Sequence, residues 1–180
     1  MKFWLLAASA TLLVVPRMAG AQVAQPYAEL GKRPVKALSE QQVADLEAGR
    51  GMGLALAAEL NGYPGPLHVL ELAEPLGLTL AQRDTTQALF KAMKAEARAL
   101  GARIIAAEGE LDRKFASKSI SEPSLHDGVR EVASLQGDLR ATHLKYHLAM
   151  TEILTPQQLA RYAELRGYQN AAPSHHHGRH

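Results

Sequence analysis

Apolar residues along this chain recur in steps of three and four, and no alternating apolar run bounded by hairpin turns interrupts them, so every element the pattern predicts is a helix. The most regular stretch covers residues 125–153. There Leu125, Val129, Val132, Gln136, Leu139, His143, Tyr146, Met150 and Ile153 keep the four-three rhythm without a lapse. A second stripe, Leu89, Met93, Leu100, Ile104, Leu111 and Phe115, is nearly a heptad and predicts a helix over residues 80–117, roughly 55 Å long if continuous. With only residues 117–124 to join them, the two must form an antiparallel hairpin. The charged positions between the stripes read as solvated faces. Upstream, Val43, Leu46, Leu56 and Leu60 predict a helix over residues 39–60, stopped by Asn61-Gly62. Gly49, Gly51 and Gly53 interrupt it at about 1 kcal/mol each. Either another helix approaches closely at Gly49 and Gly53 or the helix breaks. A nucleotide loop is the weakest reading, because no strand precedes it. After the turn Tyr63-Pro64-Gly65-Pro66 comes a short apolar segment, residues 67–76, closed by Gly77.

Helix starts are written in side-chain chemistry. The phrase Leu78-Thr79-Leu80-Ala81-Gln82 returns as Leu154-Thr155-Pro156-Gln157-Gln158, with a looser copy at Leu38-Ser39-Glu40-Gln41-Gln42. In each, the hydroxyl residue can cap the helix while the glutamine three residues on reaches back to the cap's own N–H. Pro156 falls at the first helical position, where its missing N–H costs nothing. The second copy therefore opens a terminal helix to about residue 166, before Gly167.

The first 21 residues read as an export signal: Lys2, an apolar run to Val15, and Ala19-Gly20-Ala21 as a cleavage site before Gln22. Pro16 and Arg17 end the run short of the roughly 20 residues that span a bilayer. With Lys2 and Arg17 removed, basic and acidic residues balance at 18 each, which gives no support for a nucleic-acid partner. Cysteine is absent, so an exported domain of this size must be held by its core. A bacterial periplasm is the expected address. Residues 22–37 read as an irregular leader, 38–168 as one all-helical domain, and 169–180 as a disordered tail. Half of all eight histidines, His175, His176, His177 and His180, fall in that tail, a tract able to bind metal loosely without a fold. A tag remnant is the competing reading.

Two such L-T-x-x-Q phrases with long helices between them, in an exported cysteine-free chain, resemble the Spy/CpxP family of periplasmic proteins, which includes zinc-resistance-associated and heavy-metal-sensor members. The resemblance covers roughly residues 67–168. It implies an all-α hairpin with shorter flanking helices, assembled as a cradle-like homodimer. It also implies one of three envelope-stress roles: metal sensing, ATP-independent chaperoning of unfolded periplasmic proteins, or inhibition of a membrane sensor kinase.

Among these roles the histidines favour metal. His143 and His147 share a helix face, and Met150 lies on the same side. Two imidazoles and a thioether make a partial site that suits Zn, Cu, Ni or Co better than a hard cation. Metal-sensing relatives carry a histidine and a methionine in this helix; Met150 matches that placement, whereas Tyr146 stands at the histidine position and His147 one residue on. A third ligand is expected from His68 or Glu71, if the short segment packs beside the end of the second long helix. The competing reading has His143 packed in the helix seam and His147 at its edge, each hydrogen-bonded. An enzyme is not expected, since no H-E-x-x-H, G-x-S-x-G, phosphate loop or cysteine nucleophile occurs.

Overall fold

The structure, a computed structural model, describes residues 27–168; the expected signal and the His-rich tail lie outside the described residues. Six α-helices follow one another: α1 (Glu40–Ala48), α2 (Leu56–Glu59), α3 (Pro66–Glu71), α4 (Leu80–Ala116), α5 (Glu122–Ile153) and α6 (Pro156–Leu165). Among the described residues no strand occurs, so the chain is all-α, built on the long α4–α5 hairpin with shorter helices flanking it.

Capping places the helix starts as the sequence reading has them. Thr79 and Thr155 each accept a hydrogen bond from the backbone of Gln82 and Gln158, at 3.1 and 3.2 Å, and the glutamine oxygens accept from the threonine N–H groups at 3.0 and 2.9 Å. Ser39 with Gln42 does the same for α1. A fourth box, Ser121 with Ser124, starts α5 three residues before the apolar stripe does. That first turn is polar, and hydrophobic spacing cannot report it.

The two glutamines also meet each other. Gln82 Nε2 donates to Gln158 Oε1 at 2.8 Å, and Gln158 Nε2 donates back to Gln82 Oε1 at 3.1 Å. The same amide nitrogens donate to the carbonyls of Ile153 and Leu76, at 3.0 and 3.3 Å. Each glutamine thus caps its own helix and satisfies a carbonyl beside the other motif, so the repeated phrase is one clasp closing the open end of the hairpin.

The expected helix over residues 39–60 is broken. Gly49 ends α1 at φ +63°, and a Cβ there would stand 2.9 Å from the Lys94 carbonyl of α4. Break and close approach therefore coincide at this residue. Of the expected apolar side, Leu46 is buried and Val43 half-buried, but Leu56 and Leu60 beyond the break are exposed.

Two apolar clusters hold the fold. One joins Leu46 of α1, Ala97 and Ile104 of α4, and Leu135 and Leu139 of α5 with Val35 of the leader and Leu38 just before α1. The leader, expected to be irregular, forms a short 3-10 helix at Glu29–Lys32 in its described part, and its end is docked in the core. The other joins Val69, Leu76, Met150, Leu154 and Tyr162 at the clasp end. Each large apolar side chain buried this way contributes about 1.5–3 kcal/mol. The buried face of α5 is wider than one stripe: Leu135 is buried where the pattern names Gln136, which is exposed. Along α4, Phe115 of the expected stripe is exposed near the hairpin tip.

Candidate metal centre

The two clusters leave a gap along α5. Leu135 and Leu139 belong to one, Met150 and Leu154 to the other, and His143 and His147 lie between them, both buried. Over this gap the break after α1 opens a cleft of about 640 Å³, bounded by residues 48–59, the start of α3, and the Phe90–Lys94 turn of α4. Both histidines line it.

Each imidazole is fixed by backbone. His147 Nδ1 lies 2.7 Å from the Tyr63 carbonyl, and since a carbonyl can only accept, Nδ1 carries a proton and donates it. Gly65 makes room for this ring, because a Cβ there would come within 2.9 Å of Cε1 and Nε2. His143 makes a backbone hydrogen bond with Arg50, while its Nε2 is buried and has no partner among the described residues. The bonded nitrogen is therefore Nδ1, and again Nε2 is the free one. Burial first, and then the charge of neighbouring His147, lowers the His143 pKa from its ordinary value, so the ring stays neutral where an exposed histidine would charge. Imidazoles held through Nδ1–H by backbone carbonyls leave Nε2 as the nitrogen that can face an ion.

Behind His147 stands a carboxylate that the sequence reading did not single out. Glu59, 6 % exposed, has Oε2 3.6 Å from His147 Nδ1 and 3.1 Å from the Gly65 N–H, which donates to it. Its other oxygen accepts from the hydroxyls of Tyr162 and of Tyr168, the latter at 3.1 Å, with Arg166 Nε at 3.6 Å. This network ties α2, α3, α5 and α6 together and sets the back wall of the cleft. A single acid within the apolar run Leu54-Ala55-Leu56-Ala57-Ala58-Glu59-Leu60 was the available signal.

The candidate ligands, His143, His147 and Met150 with either His68 or Glu71, are placed apart. His143 and His147 come together in the cleft. His68 lines its rim, but its Nδ1 pairs with Glu71 Oε2 at 2.9 Å, and Glu71 is exposed outside. Met150 is fully buried against Val69, Leu76 and Tyr162. It does share the face of His143, but seven residues along the axis is about 10.5 Å, and at that level α3 and α6 cover the helix. Among the described residues no group of three or more His, Asp or Glu side chains stands where it could hold an ion. Tyr146 turns from the cleft to α4, where its hydroxyl donates to Glu96 at 2.8 Å; burial and this carboxylate raise its pKa to about 12. The expected tail ligands His175, His176, His177 and His180 lie outside the described residues.

A family model described as heavy-metal resistance matches residues 10–161 of this chain. No curated protein and no solved structure matches it.

Proposed function

The chain belongs to the heavy-metal resistance family, within the Spy/CpxP-like L-T-x-x-Q group, and from that premise we propose that it is an exported periplasmic protein that binds a transition-metal ion through His143 and His147. The observation that carries this reading is the buried, unpartnered Nε2 of His143 beside a second imidazole whose Nε2 is also left open. A buried nitrogen without a partner is costly, and an ion would remove that cost. With Met150 in the core, the donors at the cleft are nitrogens only, which suits Zn, Cu, Ni or Co. When bound, the ion would supply a link between the α5 histidines and the segments that fix them. Arg50 and Tyr63 orient the rings, Gly65 leaves space for one of them, and Glu59 adds negative charge behind His147.

Among the described residues no helix is long and apolar enough to cross a membrane. The role proposed is binding rather than catalysis, in metal sensing or buffering for envelope stress. Titration of Zn, Cu, Ni and Co by calorimetry into wild-type protein and His143→Gln/His147→Gln tests it. The substituted protein should bind at least ten-fold more weakly while keeping its helical circular dichroism. Equal affinity would end the reading.

A second reading is favoured by one other observation. Met52, Leu56, Leu60, Tyr63 and Leu67 are all exposed around the break, an apolar rim suited to weak contact with unfolded chains in a cradle-like homodimer. ATP-independent suppression of aggregation for several unrelated clients, at near-stoichiometric protein, would support it. No suppression would leave metal binding alone, or an adaptor to a membrane sensor.

A further inference from the structure

A pair of imidazoles on one helix is half a site. Tight binding of a transition ion takes three or four protein ligands, and among the described residues no carboxylate or further histidine completes a group with the pair. The missing donor is carried at the mouth of the cleft. Met52 lines it from the loop after α1 and is 41 % exposed, whereas Met93, the other methionine of the lining, is buried on α4. Met52 is therefore the thioether with room to turn, about three unbranched bonds.

Backbone ties this residue to the histidine pair. The backbone of Arg50 hydrogen-bonds His143, and Gly51 passes so close to the same ring that a Cβ there would meet Cε1 and Nδ1 at 3.9 Å. Met52 comes next. The Leu54 N–H donates to the Gly51 carbonyl at 2.8 Å, which makes Met52 and Gly53 the central residues of a tight turn, and both have positive φ, +46° and +76°. Positive φ at both central positions is the type I′ pattern, whose first central residue is ordinarily Asn, Asp or Gly. A methionine there holds a backbone conformation that its Cβ disfavours, and its exposed side chain gains little burial in return. Strain of this kind persists at ligand clamps, where a particular side chain is needed at that spot.

We infer that Met52 is the third ligand of the site: its thioether sulfur turns into the cleft and joins Nε2 of His143 and of His147 on a thiophilic ion, taken as Cu(I); this rests on the histidine pair being a metal site at all. A soft sulfur beside two imidazoles selects Cu(I) over the harder divalent ions that nitrogen alone would accept. Met150, which helix spacing put forward as the thioether, gives up that role to a residue of the loop. The buried Nε2 of His143 gains its partner in the same step.

Cu(I) alone is the probe, kept reduced under nitrogen and delivered from a chromogenic chelator, with Zn(II) alone titrated in parallel by calorimetry. Met52→Leu removes the sulfur but keeps the apolar bulk at the rim. It should bind Cu(I) roughly ten-fold more weakly than wild type, or worse, and lose sulfur scattering in copper X-ray absorption, while Zn affinity stays within about two-fold. Met52→Gly suits the positive φ, so its urea midpoint should equal or exceed that of wild type although it loses the same Cu(I) affinity. His143→Gln/His147→Gln should lose both ions, with its helical circular dichroism retained. Unchanged Cu(I) affinity in Met52→Leu overturns the inference and leaves the histidine pair as the site. A loss of Zn affinity as large as that of Cu(I) does the same, since the substitution then acts through the shape of the loop and not through sulfur. A lower midpoint in Met52→Gly would show that methionine is held there for packing, which also overturns it. Unaltered affinity for both ions in the histidine variant removes the proposed metal function together with the inference.

Discussion

Replacing Gln158 by alanine tests whether the repeated phrase is two helix caps or one joint. The side chain makes four hydrogen bonds: it accepts from Thr155 N at 2.9 Å and from Gln82 Nε2 at 2.8 Å, and donates to Gln82 Oε1 at 3.1 Å and to the Leu76 carbonyl at 3.3 Å. Thr155 is exposed, so water replaces its lost bond at small cost. The other three are part-buried, and a net ~0.5–1.5 kcal/mol for each, less the better helix propensity of alanine, gives a loss of about 2 kcal/mol. Gln82→Ala should cost a similar amount, since its bonds are the mirror set. Once one amide is gone, the other keeps only its own cap and one carbonyl. The second substitution therefore costs less, and the double variant should lose about 3 kcal/mol rather than 4, a coupling of about 1 kcal/mol. Urea unfolding followed by circular dichroism at fixed protein concentration measures all four corners of the cycle, with unchanged slopes showing that the unfolded state is the same. Losses that add to within about 0.3 kcal/mol would mean independent caps and no joint.

Thr155→Ala should cost about 0.5–2 kcal/mol in the same assay and leave metal affinity unaltered, since the cap lies away from the cleft. Tyr162→Phe removes a donor to buried Glu59, a charge-assisted bond worth about 1.5–3 kcal/mol; a loss under about 0.5 kcal/mol would show that the network does not hold α6. Gly65→Ala puts a Cβ 2.9 Å from the His147 ring, and should weaken Zn binding by calorimetry, whereas wild-type affinity would mean that this ring does not ligate. Acid should also destabilise the metal-free protein. His143 has its pKa lowered by burial and by His147, so below about 6.5 the unfolded chain takes up a proton that the folded chain resists. Stability is then highest above that value and falls as pH drops toward the lowered one. Melting curves from about pH 7.5 to 5 should slope less in His143→Gln, and identical slopes would contradict the assignment.

The parts of this fold that depend on neighbours in sequence were legible from it. Thr79, Gln82, Thr155 and Gln158 sit where their own helix turn demands, and the α4 and α5 stripes follow from helix period alone. What escaped was set by contacts between distant residues. The pairing of Gln82 with Gln158 joins segments 76 residues apart, and Leu135 is buried in a cluster it shares with Val35, Leu38 and Leu46. Glu59 reads locally as one more helix acid, and only the arrival of Tyr162, Tyr168 and Gly65 makes it the centre of a network. At the candidate site, helix spacing brought His143 and His147 to one cleft. The same spacing put Met150 on their face but could not say that α3 and α6 cover it there.

The docking of the leader fixes which way the molecule points. Val35 and Leu38 are buried against the hairpin, and Lys36 pairs with Asp112 at 2.9 Å near the far end of α4. The cleft lies beside Met93 of the same helix, about 28 Å away along the axis. The docked stretch Val35–Leu38 therefore lies toward the hairpin tip, with the histidine pair displaced from it toward the clasp. A load applied to the stretch Val35–Leu38 would thus reach the cleft only through the length of α4, as along a lever, and not by direct contact.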